Sequence, residues 1–284
     1  MLYRTHLEHL VTEHCNLRCD NCSSGSPFIK EGFSSLANFE RDVNELAKYM
    51  RIDYMRFVGG EPTLHPQFVD FCKVAKASGL VNKKISVVTN GISLMSQPDE
   101  FWEAIDLISL SMYRNTNINY EKVLQTIQSK YDSHGVTYNI ATDQEQIENL
   151  ETVKNNYIYE KLAQGSFKLL TNYEEHPPEV AQSVFNECIL KDICHSIKDG
   201  KYYRCTISTI KDAHYKAIGV ETNYNFKEED GLAIDENFPD QWEGFIKDKT
   251  ININACRYCN GWGTQKEEAH RQLSMNEIKA IQVL

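Results

Sequence analysis

The sequence predicts an α/β protein: a helix-wrapped parallel sheet followed by a small, cysteine-bearing C-terminal unit. Three observations carry this. Strand and helix patterns alternate from residue 7 to about residue 142, a loop with three cysteines closes the first strand, and a second cysteine group begins at Cys188 after a change of composition. Repeated strand–helix units force parallel pairing, because a parallel neighbour is reached only through a crossover helix.

Taken in order, residues 7–13 form a short apolar-rich run ending in the cysteine loop, which therefore hangs from the C-terminal end of a first strand. Phe39, Val43, Leu46, Ala47 and Met50 recur at helical spacing with charges between them, an amphipathic helix. Tyr54 to Val58 alternates as a strand, with Met55 and Phe57 on one face and Arg56, Val58 and then Gly60 on the other. A helix from Pro66 to Ser78 places Phe68, Phe71, Cys72 and Ala75 on one stripe and closes at Gly79; Cys72 there is a small core hydrophobe. Strands over Ile85–Thr89, Asp106–Tyr113 and Val136–Thr142 follow, with a helix at Tyr120–Tyr131 and turn signals at 115–117 and 134–135. Within Asp106–Tyr113, Ser109, Ser111 and Tyr113 alternate with Ile108, Leu110 and Met112, so one face is polar. Phe167–Leu170 is the expected sixth strand.

At 284 residues and 41% apolar composition, the chain can fill one large core and a small one. A net charge of −10 argues against a nucleic-acid partner, whose phosphates need clustered Lys and Arg. No stretch approaches the roughly 18 continuous apolar residues of a membrane span, and residues 1–8 carry no apolar signal core. A soluble, cytoplasmic protein is expected. In that compartment nine cysteines read as metal ligands or catalytic thiols rather than disulfides.

The informative stretch is residues 14–23, where Cys15, Cys19 and Cys22 crowd one loop. Three thiolates cannot all pair with one another, and they leave one position of a metal site unfilled. Thiolates select iron–sulfur clusters and zinc, and structural zinc closes with four protein ligands. Three cysteines instead suit a cluster that keeps one iron for a non-protein ligand; a zinc site borrowing His14 is the rival. Downstream, Gly59 and Gly60 allow close approach at a strand end, Pro62 fixes the exit, and Glu61 offers a carboxylate for an ammonium. Thr89 and Asn90 end the next strand and could bond hydroxyl or carboxylate groups.

The spacing Cys15-x3-Cys19-x2-Cys22, then Gly59-Gly60-Glu61-Pro62, then Val87-Val88-Thr89-Asn90-Gly91, resembles the motif series of the radical S-adenosylmethionine (radical SAM) enzymes. One departure is Asn21, where the family usually has an aromatic residue; it leaves open how the adenine edge is contacted. The resemblance implies a partial (β/α)6 TIM-like barrel over residues 1–170, with ligands gathered at the C-terminal ends of the strands. It also implies a 4Fe–4S cluster on Cys15, Cys19 and Cys22 that binds SAM, and the SAM amino group at Glu61. Ser109 and Ser111 are either cofactor contacts or ordinary polar strand positions. Arg56, Tyr113, Thr137 and Asn139 are inward-facing substrate candidates, with ordinary barrel filling as the alternative.

Residues 171–187 are polar and proline-bearing and read as a linker to a unit over 188–284. There Asp199-Gly200 marks a hairpin ending on Cys205, and Cys256 and Cys259 form a pair at metal-ligand spacing. Cys188, Gly200 with Cys205, and the pair Cys256 and Cys259 resemble the SPASM extension of radical SAM enzymes, and more closely its shortened twitch relative. That resemblance implies one auxiliary 4Fe–4S cluster on Cys188, Cys205, Cys256 and Cys259. Cys194 is surplus: a buried thiol, a replacement for Cys188 as ligand, or a hydrogen-atom donor as in radical SAM epimerases.

The implied reaction is reductive cleavage of SAM, with an electron from a flavodoxin or ferredoxin, to a 5′-deoxyadenosyl radical that takes a hydrogen atom from substrate. Oxidation by two electrons is the leading class, with epimerisation beside it. The first strand starts within the first dozen residues, so no leader-binding domain is expected ahead of it, which favours a small polar metabolite (sugar or aminocyclitol-like) over a ribosomally made peptide. A non-enzymatic iron–sulfur or zinc protein is the remaining alternative.

Overall fold

The computed structural model describes residues 1–30, 32–113, 116–133, 138–141, 156–162, 166–250, 253–264 and 266–282, with the backbone alone for 138–141, 156–162 and 166–168. Among the described residues the barrel strands β1 (Leu2–Thr12), β2 (Met50–Gly59), β3 (Val81–Thr89), β4 (Leu107–Met112), β5 (Tyr138–Ala141) and β6 (Asn156–Leu162) pair in parallel. Their crossovers include the helices α1 (Leu36–Leu46), α2 (Phe68–Ala77), α3 (Asp99–Ala104) and α4 (Tyr120–Ser133). This is the expected α/β partial barrel.

Alternation along each strand separates two faces. Leu7, Val11, Met55, Phe57, Val87, Ile108 and Leu110 pack with Phe39, Phe71 and Val123 of the helices in the main core. The opposite face is left with Glu8, Thr12, Arg56, Val58, Ser86, Val88, Ser109 and Ser111. α1 starts where it does because the Ser35 side chain accepts from the Asn38 N–H, meeting one of the orphan donors of the first turn.

Two expectations are corrected. The sixth parallel strand is Asn156–Leu162, inserted between β4 and β5 in the order β1-β2-β3-β4-β6-β5. The segment expected there instead supplies β7 (Ser166–Lys168), which pairs antiparallel with a strand at Glu267–Ala269 in a separate two-stranded sheet. The stretch expected as a linker is also helical, from Pro178 to Glu187.

The Asp-Gly hairpin forms as expected from β8 (Ser196–Lys198) and β9 (Lys201–Tyr203). Asp199 and Gly200 both have positive φ, 49° and 80°, as a two-residue turn matching strand twist requires. The hairpin is joined to the barrel edge: Ser196 lies opposite Glu8 of β1, and the Glu8 N–H donates to the His195 carbonyl at 2.7 Å. β10 (Gly231–Ala233) adds to its outer side, and β11 (Glu267–Ala269) is the partner of β7. Phe185, Tyr215, Phe226, Ile253, Tyr258 and Leu273 make a second, smaller core that also takes in Phe28. Among the described residues no helix is long and apolar enough to cross a membrane.

Candidate active site

β1 ends at Thr12 and the chain turns directly into the cysteine loop. Gly60 N–H donates to the Thr12 carbonyl at 2.7 Å and Glu61 N–H to the His14 carbonyl at 2.8 Å, stitching the end of β2 to the loop. That stitching requires glycine at 59 and 60. A Cβ on Gly60 would collide with the His14 and Glu13 carbonyls, and one on Gly59 with the Thr12 carbonyl. The nearest surface these glycines clear is therefore the backbone that launches the cysteine loop. Pro62 opens the short 3-10 turn that leaves the strand.

Cys15, Cys19 and Cys22 carry free thiols and line one cavity of about 190 Å³. Gly59, Gly60, Glu61, Thr89 and Asn90 form a facing wall, and Ser111 and Tyr113 close a side. Burial pushes up the thiols of Cys15 and Cys19, the latter to about 12, so without a metal they hold their protons. The donor set fits a cluster with one open position: three thiols on one short loop, with His14 outside the cavity lining. The hydroxyl of Ser26, buried in the same cavity, has no hydrogen-bond partner among the described residues, which a polar ligand would supply.

Glu61 is 1% exposed and held by its neighbours. Its Oε1 accepts from the Thr63 and Thr89 hydroxyls, both at 2.6 Å, and from the Thr63 N–H at 3.3 Å. Its Oε2 accepts from the Asn90 N–H at 2.8 Å. Burial raises its pKa, while these four donors act against the rise. A carboxylate has about four acceptor sites, so the spare capacity is on Oε2. Asn90 couples this wall to the loop: its Nδ2 donates to Asn16 Oδ1 at 2.7 Å and lies 3.8 Å from Cys15 Sγ.

The C-terminal segment also reaches the loop. Leu273 N–H donates to the Arg18 carbonyl at 2.7 Å and Asp20 N–H to the Arg271 carbonyl at 3.0 Å, bracketing an antiparallel bridge between Cys19 and Gln272. Gln272 Nε2 donates to Cys19 Sγ at 3.1 Å, and His270 Nε2 lies 3.4 Å from the same sulfur. The His270 ring stacks on Tyr113 with centroids 4.9 Å apart. Asn21 adopts φ 58°, a left-handed conformation that Asn tolerates better than an aromatic residue, and its Nδ2 donates to Glu268 Oε2 at 3.0 Å.

The second cysteine group also converges. Cys188, Cys205, Cys256 and Cys259 line one small cavity walled by Val184, Leu190, Ile207 and Ile253. Backbone N–H groups already face two of the sulfurs, Gly261 to Cys259 Sγ at 3.3 Å and Trp262 to Cys188 Sγ at 3.5 Å. Four thiols in an apolar pocket fit a closed cluster. Cys194 is not among the lining residues. Its carbonyl accepts from the Thr206 backbone N–H at 3.1 Å, the Thr206 hydroxyl donates to Glu8 Oε2 at 2.5 Å, and burial raises the Cys194 thiol pKa. Burial is the main cause of that rise, and Glu8, Cys205, Arg56 and Cys188 are the charges acting on it.

Of the substrate candidates, Tyr113 lines the main cavity. Arg56 lies deeper on the same face, 3.6 Å from Glu8 Oε1. Thr137 is outside the described residues, and Asn139 is described only as a strand residue opposite Tyr157. Ser111 reaches the cavity, whereas Ser109, one step down the strand, does not line it. Sequence reasoning missed Glu8, Thr206, His270 and Gln272; Glu8 and Arg56 sit at paired positions of adjacent strands, a charge pair that the alternation alone could have suggested.

The radical SAM superfamily pattern matches residues 10–156, just over half of the chain. Among curated proteins, the GTP 3′,8-cyclase of Chlorobaculum tepidum is 35% identical over 109 residues, 36% of this chain and 31% of that protein. The tungsten-containing aldehyde ferredoxin oxidoreductase cofactor-modifying protein of Pyrococcus furiosus is 31% identical over 105 residues, 36% of this chain and 29% of that one. The chain thus matches about a third of the length of these relatives. Among solved structures, BtrN in complex with AdoMet and 2-DOIA aligns at 15% identity and a TM-score of 0.48, covering 96% of this chain and 100% of that one.

Proposed function

The chain belongs to the radical SAM superfamily, and on that premise we propose that it removes a hydrogen atom from a small polar metabolite, sugar-like or aminocyclitol-like, oxidising it by two electrons or epimerising it. When bound, a 4Fe–4S cluster with one position open to SAM would supply the electron for reductive cleavage of SAM to methionine and a 5′-deoxyadenosyl radical. Cys15, Cys19 and Cys22 are the residues that would hold that cluster. Glu61 Oε2 would take the SAM ammonium, with Thr63 and Thr89 fixing the other oxygen. Ser26, Ser111 and Tyr113 offer polar contacts along the cavity wall. The electron donor is proposed to be a flavodoxin or ferredoxin.

The observation that carries the reading is the second pocket, where Cys188, Cys205, Cys256 and Cys259 meet, with the buried Cys194 close by in the same segment of chain. In the oxidation the substrate loses one hydrogen atom, one electron and one proton, and the second thiolate set supports the group that accepts the electron. In the epimerisation the protonated thiol of Cys194 would return a hydrogen atom to the opposite face of the same carbon, and the thiyl radical left on its sulfur would be restored by one electron from the flavodoxin or ferredoxin donor and one proton from solvent. Glu8 is four residues before Thr12 on β1, so the Thr206 hydroxyl that binds it lies about 13 Å below the strand end.

The test is incubation of the reconstituted protein with SAM, dithionite and candidate polyols in deuterated water. Release of 5′-deoxyadenosine with a ketone product supports oxidation; deuterium at an inverted carbon supports epimerisation. SAM cleavage that only a peptide stimulates would overturn the small-metabolite reading.

A further inference from the structure

Gln272 is held at both ends of its carboxamide. Its Oε1 accepts from the Arg18 backbone N–H at 2.6 Å, on the cysteine loop itself. A backbone N–H requires an oxygen there, which fixes the orientation of the carboxamide and turns its NH2 toward Cys19 Sγ, 3.1 Å away. The same Nε2 is 3.1 Å from His270 Nε2. An amide nitrogen does not accept, so a bond in this pair runs from the Gln272 NH2 to His270 Nε2. The two amide hydrogens are thereby assigned, one to the sulfur and one to the imidazole. Stacking of His270 on Tyr113 and the Arg271–Asp20 ion pair at 2.7 Å hold the segment in place.

Resting on the assignment of Cys15, Cys19 and Cys22 as ligands of the SAM-binding cluster, we infer that Gln272 is a positioning residue that donates an N–H···S hydrogen bond to the Cys19 thiolate and raises the reduction potential of that cluster. Reduction adds negative charge that spreads onto the ligand sulfurs, and a hydrogen bond to sulfur stabilises the reduced form more than the oxidised one. Cys19 is only 8% exposed, so the donor is not interchangeable with bulk water. The C-terminal segment thus sets how readily an electron is accepted about 250 residues earlier in the chain.

Gln272→Glu is the discriminating variant. It keeps an oxygen for the Arg18 N–H, so the segment stays docked, but it removes the donor to sulfur and adds a negative charge, so it is read together with an uncharged variant. Gln272→Leu removes both. The readout is the midpoint potential of the reconstituted full-length protein, followed by electron paramagnetic resonance on the signal that added SAM perturbs, with iron per chain and melting temperature measured alongside. A tenfold loss in the reduction equilibrium is expected for Gln272→Glu, a midpoint about 59 mV more negative for a one-electron couple, at unchanged iron content. An unchanged midpoint in Gln272→Glu with full iron overturns the inference, including the case in which only Gln272→Leu shifts, which would make the contact purely structural; so does a shift in Gln272→Glu that the uncharged Gln272→Leu does not share, since the introduced carboxylate lowers the potential by its charge alone. Failure of the underlying assignment is visible separately: Cys19→Ala would then keep the parental iron and sulfide content, which sinks both.

Discussion

The substitution Glu61→Gln changes one atom in a fully buried group, and the hydrogen-bond pattern around it sets the size of the effect. The introduced amide could keep its carbonyl oxygen at the Oε1 position, but its NH2 would then face the Asn90 N–H, two donors in a buried site. The flipped amide is better: the carbonyl takes the Oε2 position and still accepts from Asn90, while the NH2 donates to the Thr63 and Thr89 hydroxyls, which can rotate to accept. Only the long 3.3 Å contact from the Thr63 N–H is lost. The fold should therefore lose about 1 kcal/mol. What the site loses is charge: the ammonium keeps a hydrogen bond to a neutral carbonyl but loses the attraction between two ionised partners. A charged hydrogen bond contributes about 1.5–3 kcal/mol, so losing about half of it weakens SAM binding by about 0.8–1.5 kcal/mol, roughly four- to twelvefold in Kd. Equilibrium dialysis of labelled SAM against anaerobically reconstituted protein measures this directly. A Kd within twofold of the parent, with iron fully loaded, would refute the placement of the ammonium at Glu61.

Other substitutions test the scaffold. Gly60→Ala forces the β2 exit away from the Glu13 and His14 carbonyls, and a loss of about 2–3 kcal/mol with depleted iron is expected, whereas Gly244→Ala, in an exposed helix with open space around it, should stabilise by up to about 1 kcal/mol. Cys188→Ala should remove the auxiliary complement of iron while Cys194→Ala leaves iron intact; iron analysis of the two variants decides between them as fourth ligand. Stability should also fall in mild acid. Burial lowers the pKa of His9 and of His195 each to about 3, so as pH falls below about 6.5 the unfolded chain gains protons that the folded chain refuses. Each contributes a loss of up to about 1.4 kcal/mol per pH unit, complete only near the folded value, and His9→Phe should flatten the slope of urea-unfolding free energy between pH 7 and pH 5.

Local patterns carried much of this architecture, and long-range ones did not announce themselves. The stripe of Phe68, Phe71, Cys72 and Ala75 is buried as its helical spacing requires, and the Asp199-Gly200 turn has the backbone its residues favour. The three cysteines and the Gly-Gly-Glu-Pro stretch could be joined in advance because both close adjacent parallel strands. By contrast, Asn156–Leu162 escapes a reading of the sequence although Tyr157, Ile158 and Tyr159 are strong β-formers, and its insertion between β4 and β5 depends on pairing that no single segment encodes. Glu267–Ala269 has no apolar alternation at all; its partner strand defines it. Gln272 and His270 sit in a polar stretch whose role appears only when it meets Cys19 across about 250 residues of chain.

The most direct test of the whole account is iron and acid-labile sulfide per chain after anaerobic purification and reconstitution. The account predicts about eight of each, two 4Fe–4S clusters on the two cysteine sets. About four of each, unchanged by Cys256→Ala, would contradict the auxiliary site and the redox-assisted chemistry built on it, and zinc with negligible iron would contradict the cluster assignment altogether.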